Sequence, residues 1–218
     1  MALTREPHRR LTTGDVDDAA AVLVRALFDD PVWRFVLPSP RRRARTMNSL
    51  VRADVERYVA DADAFRNEHG VALWRRVVPR PESARSPRPS EVLDRRPSRE
   101  ERDQFGRHWR RARRVAGAIR ALRPDPGEHH YLHLIGVDPG DAGQGHGAAL
   151  VTPVLDELDG DGVPAFLVSS NPDNLGFYRR FGFVVSGSVE LPGGPMLHAM
   201  WRGPRGGSGQ GTPGVDPR

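Results

Sequence analysis

The chain has no cysteine. That excludes disulfides, thiolate metal ligands and a cysteine nucleophile together, and no metal is expected. Lysine is absent as well, so all 33 basic residues are arginine. The simplest cause is a GC-rich coding sequence, which also favours alanine, glycine and proline. One chemical consequence is firm: a nucleotide P-loop needs a lysine after its last glycine, so that motif is excluded. No run of 18 apolar residues occurs, so no membrane span is expected. The first ten residues are basic, but no apolar stretch follows them, so they do not read as a secretory signal. A cytoplasmic location is the expectation.

What is present is ordinary for a globular chain. Its 218 residues suffice for one domain with its own core. Hydrophobic residues make up 38% and charged residues 28%. The net charge of +5 suits a polyanionic partner.

Periodicity and turn chemistry divide the chain. Residues 1–9 read as disordered, and 10–202 as one domain. Helices are predicted over 13–27, with Thr13 as cap, and over 41–62. Phe28-Asp29-Asp30-Pro31 breaks the chain between them. A turn at 67–70 leads into a strand at 71–78. Residues 79–98 are rich in Pro, Arg and Ser and read as loop, followed by an arginine-dense helix at 99–122. Then come a strand at 131–137, a glycine loop, and a helix at 145–158. A strand at 164–169, a short helix at 173–181 and strands at 183–191 and 196–202 complete the order. Residues 203–218 are nearly all Gly, Pro, Ser and Thr and read as a disordered tail. Strands alternating with helices give an α/β fold.

The most informative stretch runs from Leu134-Ile135-Gly136-Val137-Asp138-Pro139 into Gly143-Gln144-Gly145-His146-Gly147-Ala148. A buried strand enters a glycine turn, and a helix starts there. Side-chain-free glycines let backbone N–H groups converge, and the helix N-terminus adds unsatisfied donors and a positive dipole end. Together they form a cradle for a diphosphate. The same residues formally fit the dinucleotide pattern G-x-G-x-x-A. That pattern wants the glycines directly after the strand and an acidic residue ending the next one, whereas here five residues intervene and the next strand ends in Ser169-Ser170. A plain flexible turn also fits the loop alone.

These motifs resemble the coenzyme A-binding signature of the GNAT superfamily of N-acetyltransferases. Its R/Q-x-x-G-x-G/A form falls on Ala142, Gly145 and Gly147, with alanine at the Arg/Gln position. The second hallmark, N-x-x-F-Y-x-x-x-G-F, falls on Asn174, Phe177, Tyr178, Gly182 and Phe183. The strand Gly162-Val163-Pro164-Ala165-Phe166-Leu167 and the closing segment from Val189 to Pro195 resemble the puromycin N-acetyltransferase-like branch. The resemblance implies a mixed, largely antiparallel central sheet flanked by helices, with a helical insertion at 79–125 before the cofactor-binding strand. It implies acetyl-CoA as co-substrate and a small-molecule amine as acceptor, an antibiotic-like or amino-nucleoside compound among the candidates.

Residue roles follow from the same resemblance. Ile135, Gly136 and Val137 would line the pantetheine arm, with a backbone N–H near Gly136 or Val137 polarising the thioester. Gly143, Gln144, Gly145, His146, Gly147 and Ala148 would hold the pyrophosphate, and Asn174 the pantetheine. Tyr178 would protonate the leaving thiolate. The related branch carries a glutamate where this chain has Val168, so the base must lie elsewhere. By the two-residue period of a strand, Tyr131, His133 and Ile135 share one face. A histidine pair occupies the matching strand of serotonin N-acetyltransferase, and His133 is the candidate base, since an unperturbed imidazole titrates near pH 6.5. Glu128, His129 and His130 are expected at the solvent-exposed start of the strand, with Glu128 and His130 as alternative bases. Phe28, Asp30, Trp33 and Trp74 are candidate walls of the acceptor pocket.

Three readings of the arginine-rich helix stand open: a solvated face, a wall over the acceptor site, or a nucleic-acid surface, the last disfavoured by mixed charge at 99–103. A longer acyl-CoA, and a degenerate acyl-CoA sensor, remain as alternative functions. A monomer and a homodimer are both compatible with the sequence.

Overall fold

The computed structural model describes residues 8–61, 63–78, 98–123 and 127–206. The expectations for residues 1–7, 79–97 and 207–218 lie outside them. Among the described residues, seven strands form one sheet: β1 (Arg9–Arg10), β2 (Asp63–Arg66), β3 (Gly70–Val77), β4 (His129–Val137), β5 (Ala165–Ser169), β6 (Val184–Glu190) and β7 (Met196–Arg202). Their spatial order is β1-β2-β3-β4-β5-β7-β6. Every pairing is antiparallel except β4 with β5, which run parallel.

Helices cover both faces. α1 (Val16–Leu27) and α3 (Pro40–Asp61) bury Leu23, Met47, Val51 and Tyr58 against Val71 and Leu73. α6 (His146–Asp161) and α7 (Leu175–Arg179) pack Leu150, Val154 and Tyr178 against Ala72, Trp74 and Leu132 on the other face. α2 (Pro31–Val36), α4 (Arg99–Phe105) and α5 (Trp109–Ala121) join a third cluster with Leu191 and Leu197.

Several boundaries differ from the sequence reading, each for a local reason. The break at 28–31 restarts a helix at once. Asp30 caps α2 by accepting the Val32 N–H at 2.9 Å, and Pro31 sits at the first helical position, where its missing N–H costs nothing. The helix at 99–122 is two helices joined by a 3₁₀ turn, Gly106–His108, and Gly106 has φ +51°. β1 and β2 are too short to show a period. No helix among the described residues is long and apolar enough to cross a membrane.

Beyond β7 the chain still makes contacts. Arg202 is buried and grips Asp159 of α6 through both terminal nitrogens, at 2.7 and 2.5 Å, while its Nε donates to the Phe181 carbonyl. The Arg205 N–H adds a 2.7 Å bond to Asp159. Removing Asp159 leaves a buried guanidinium without its counter-charge. Asp159→Ala is therefore expected to cost about 3–5 kcal/mol. For a chain of this size that lowers the melting temperature on the order of 10 °C, readable by calorimetry.

Candidate active site

The parallel pair at the centre of the sheet separates partway along. β4 and β5 are in register at His130–Ala165, Tyr131–Phe166 and Leu132–Leu167. β4 then continues to Val137 while β5 ends at Ser169. The register with β3 jumps at the same place: Trp74 faces Leu132 and Leu73 faces Leu134, so His133 is an extra residue in β4. Such a bulge bends a strand, increases its twist and re-aims a side chain.

The bulge changes which residues share a face. His133 meets Asp54 of α3, and Leu134 packs on the α1–α3 cluster. Ile135 joins Leu132 on the α6 side. Tyr131 and His133 remain neighbours, their rings 5.8 Å apart, but Ile135 leaves that face. The strict two-residue period fails because one residue was inserted into the ladder.

A cavity of about 280 Å³ opens where the strands part. His133 borders it from the α3 side and Tyr178 from the α7 side, so groups from opposite faces of the sheet line one space. His133 Nε2 lies 3.1 Å from Asp54 Oδ2, and its ring stacks on Tyr58 at 5.1 Å with the two ring planes nearly parallel. Burial works against the Asp54 carboxylate. The hydrogen bond and charge of His133, together with Arg57, overcome this and hold the carboxyl below its usual range. With the Nε2 proton donated to Asp54, Nδ1 is the ring nitrogen left to accept a proton. The Asp54 carboxylate fixes that tautomer and stabilises the imidazolium.

Tyr178 is buried, and burial raises its phenol well above the ordinary value, with the charge of Asp30 adding to the shift. It therefore carries its proton at neutral pH. Asp30 accepts the Ser170 hydroxyl at 2.8 and 2.9 Å as well as the Val32 N–H. Burial pushes the Asp30 carboxyl up, against those hydrogen bonds.

At the C-terminal end of β4 the glycine loop forms its own unit. Gly143 and Gly145 have φ of +81° and +87°, which L side chains rarely adopt. Gly145 is the N-cap of α6, and no side chain caps it. The first intrahelical bond runs from the Ala149 N–H to the Gly145 carbonyl, so the N–H groups of His146, Gly147 and Ala148 precede it. The β2–β3 turn braces the loop. Asn67 donates to the His146 carbonyl at 3.0 Å, His69 Nδ1 lies 3.0 Å from Asp141, and the His69 N–H donates to Asn67 Oδ1 at 3.1 Å. Gly136 meets a different demand: a Cβ there would sit 2.6 Å from that of Ala26, so α1 packs directly on the strand.

The expected site residues therefore separate into groups. His133, Ile135, Asn174, Tyr178, Asp30 and Trp33 line the cavity. Gly143, Gln144, Gly145, His146, Gly147 and Ala148 form the loop and first turn of α6 beyond it. Phe28 lies outside the lining and stacks under the Arg43 guanidinium, 4.4 Å away. Trp74 is fully buried in the α6-side core and does not reach the cavity. His129 is buried rather than exposed, its Nδ1 2.9 Å from the Gly127 carbonyl. His130 lies 3.4 Å from Asp63, and Glu128 pairs with Arg76. Val168 lines the cavity.

Two participants were missed from sequence, Asp54 and Ser170. Asp54 carried a signal: it stands three residues after Val51 and four before Tyr58, both buried, and so on the inward side of α3. An acid on such a face demands a partner. The arginine-rich segment proves divided. Ala112, Val115 and Ile119 of α5 line the cavity. Arg111 turns inward to donate to the Phe35 carbonyl at 2.9 Å, and buried Arg113 stacks over Trp109.

A mixed sheet whose parallel central pair splays, followed by a glycine turn into a helix, defines an acyltransferase-type fold. Residues 57–183 match the acetyltransferase (GNAT) family, more than half of the chain, and the protein belongs to that family. A crystal structure from Corynebacterium glutamicum described as histone acetyltransferase HPA2 and related acetyltransferase superposes with TM-score 0.63 at 22% identity, covering 94% of this chain and 99% of that one. Arylalkylamine N-acetyltransferase 2 of Aedes aegypti superposes with TM-score 0.62 at 12% identity, over 90% of this chain and 97% of that one. At these identities the likeness concerns the fold. A Schizosaccharomyces pombe protein described as an uncharacterized N-acetyltransferase is 36% identical over 61 residues, spanning 28% of this chain and 25% of that protein.

Proposed function

We propose that the protein transfers the acetyl group of acetyl-CoA to the amine of a small molecule by direct attack on the thioester. The observation that carries this reading is the single cavity bordered by the His133–Asp54 pair on one side and the Tyr178 hydroxyl-bearing ring on the other. The chain fits the co-substrate at two places. Residues 133–137 of β4 run on without a β5 partner, leaving a strand edge for an extended amide-bearing arm. The uncapped N-terminus of α6 offers convergent N–H groups to a diphosphate. Acetyl-CoA, when bound, supplies an activated carbonyl and a thiol leaving group.

The chain's own residues handle two protons. His133 takes one from the acceptor ammonium, freeing the nitrogen lone pair that bonds to the carbonyl carbon. Tyr178 gives one to the sulfur as the carbon–sulfur bond breaks, and its phenolate then takes the second nitrogen proton, leaving a neutral amide, the free thiol and protonated His133, which returns its proton to solvent. Asn174, at the end of the same cavity, orients the arm, and the remaining acceleration comes from holding two reactants together. Val168 adds methyl groups where the puromycin-like branch has a carboxylate, and His133 with Asp54 supplies the proton acceptor instead. An antibiotic-like or amino-nucleoside amine is the acceptor that branch suggests.

The cradle is tested by Gly145→Val. A β-branched side chain at φ +87° is strained whatever space surrounds it. Titration calorimetry should show acetyl-CoA affinity reduced by at least about tenfold, since strain of this kind costs about 1–3 kcal/mol. An affinity equal to wild type would remove the diphosphate from this loop.

A further inference from the structure

The acceptor can be defined further, on the basis of the acetyl-transfer reading above. We propose that the acceptor is a compact monoamine with an apolar aryl or alkyl body, which enters as its ammonium against Asp30 and buries that body beneath α5. The first support is the chemistry of the wall. Val32, Trp33 and Val36 of α2 pack in one cluster with Ala112, Val115 and Ile119 of α5 and line the cavity with them, and the Trp33 indole N–H is the one side-chain polar group among these six. Polar lining groups such as His133, Ser170, Asn174 and Tyr178 come instead from β4 and the segment that follows β5, and Asp54 comes from α3. A hydroxyl-rich or multiply charged acceptor would press unpaired polar groups on the apolar wall, at roughly a five- to hundredfold loss for each.

The second support is size. The cavity of about 280 Å³ also contains the place where the thioester must lie. Small-molecule pockets usually span about 300–1,000 Å³, so the share left for an acceptor suits one ring or a short chain. A nucleoside with an aminoacyl arm exceeds that share and would have to project from the cavity mouth.

The third support is charge. Asp54 is already served by His133 and Arg57. Among the described residues Asp30 meets only neutral partners, the Ser170 hydroxyl and the N–H groups of Val32 and Trp33. A carboxylate in an apolar cavity without a cation is poorly compensated. An ammonium supplies the missing counter-charge and favours ionised Asp30. One such group matches one amine; the second lining carboxylate, Asp54, already faces His133 and Arg57.

The full chain with acetyl-CoA tests this directly. Released thiol can be followed with a thiol reagent free of protein background, because the chain has no cysteine. The panel is 2-phenylethylamine and the straight-chain amines from ethyl to hexyl, against putrescine, glucosamine and puromycin. The expected result is kcat/KM rising about fourfold per added methylene until the cavity is full. Phenylethylamine should exceed each polar amine by at least tenfold. Ala112→Phe should flatten the series, its loss growing with chain length, with acetyl-CoA affinity measured alongside as proof of folding. Asp30→Asn keeps a helix cap and removes the charge; it should raise KM for the amine about tenfold. A flat series, or a preference for putrescine, glucosamine or puromycin, overturns the apolar class and leaves acetyl transfer standing. No thiol release with any amine overturns both.

Discussion

Tyr178→Phe is expected to lower turnover by about a hundred- to ten-thousand-fold while leaving acetyl-CoA affinity within a factor of two or so of wild type. The substitution keeps the ring that packs at 5.2 Å from Phe177 and 6.1 Å from Phe183, so the α6-side core is preserved. Only the hydroxyl is lost. A phenol raised by burial is a weak acid in water, and a thiolate would ordinarily be too weak a base to take its proton. The cavity keeps the mismatch from growing, because the same burial that disfavours phenolate disfavours thiolate. The two pKa values rise together, and the hydroxyl can donate to the sulfur as charge develops there. Steady-state kinetics with an acceptor from the amine panel gives the measurement. Turnover like wild type would take the acid role away from Tyr178.

The second large effect belongs to His133. His133→Ala should lower kcat/KM by about a hundredfold or more at neutral pH and remove the acidic limb of the pH–rate profile. An amine must lose its proton before it can attack, and the limb reports the group that receives it. The readout separates a base from a structural histidine, because mere loosening of the cavity would lower the whole profile and keep its shape. Asp54→Asn is the companion variant. It preserves a hydrogen-bonding partner for His133 but removes the negative charge opposite the imidazolium, so turnover should fall with little change in acetyl-CoA affinity. An intact acidic limb in His133→Ala would shift the role to an ordered water or to His130, which lies 3.4 Å from Asp63.

The two variants also draw attention to how the site is assembled. Tyr178 reaches the cavity from a helix packed under one face of the sheet, and His133 from the other face. A closed sheet would keep them apart. The separation of β4 from β5 after Leu132 and Leu167 makes an opening that both border. The extra residue at His133 occurs at that opening, where a regular strand would have exchanged the inward positions of His133 and its neighbours.

By itself, the sequence determined those features that depend on residues a few positions apart. The strand entering Gly143-Gln144-Gly145, the start of α6, and the short helix bearing Asn174 and Tyr178 all follow from local rules: side-chain period, glycine at positive φ, and proline at a helix start. The helix of α3 was equally legible, read as 41–62 where the structure has Pro40–Asp61. The tertiary structure alone decided which of these elements meet. Asp54 and His133 are 79 residues apart, and no local pattern links them. Trp74 and Trp33 both looked like pocket walls, yet Trp74 is core because β3 turns it toward α6, while α2 carries Trp33 to the cavity. The apolar side of α5 could have faced any neighbour, and its place over the cavity came from packing on α2 and β7. Local chemistry sets the conformation of a segment. The partner of each apolar or charged face is chosen by which arrangement excludes the most water and leaves the fewest buried groups unpaired.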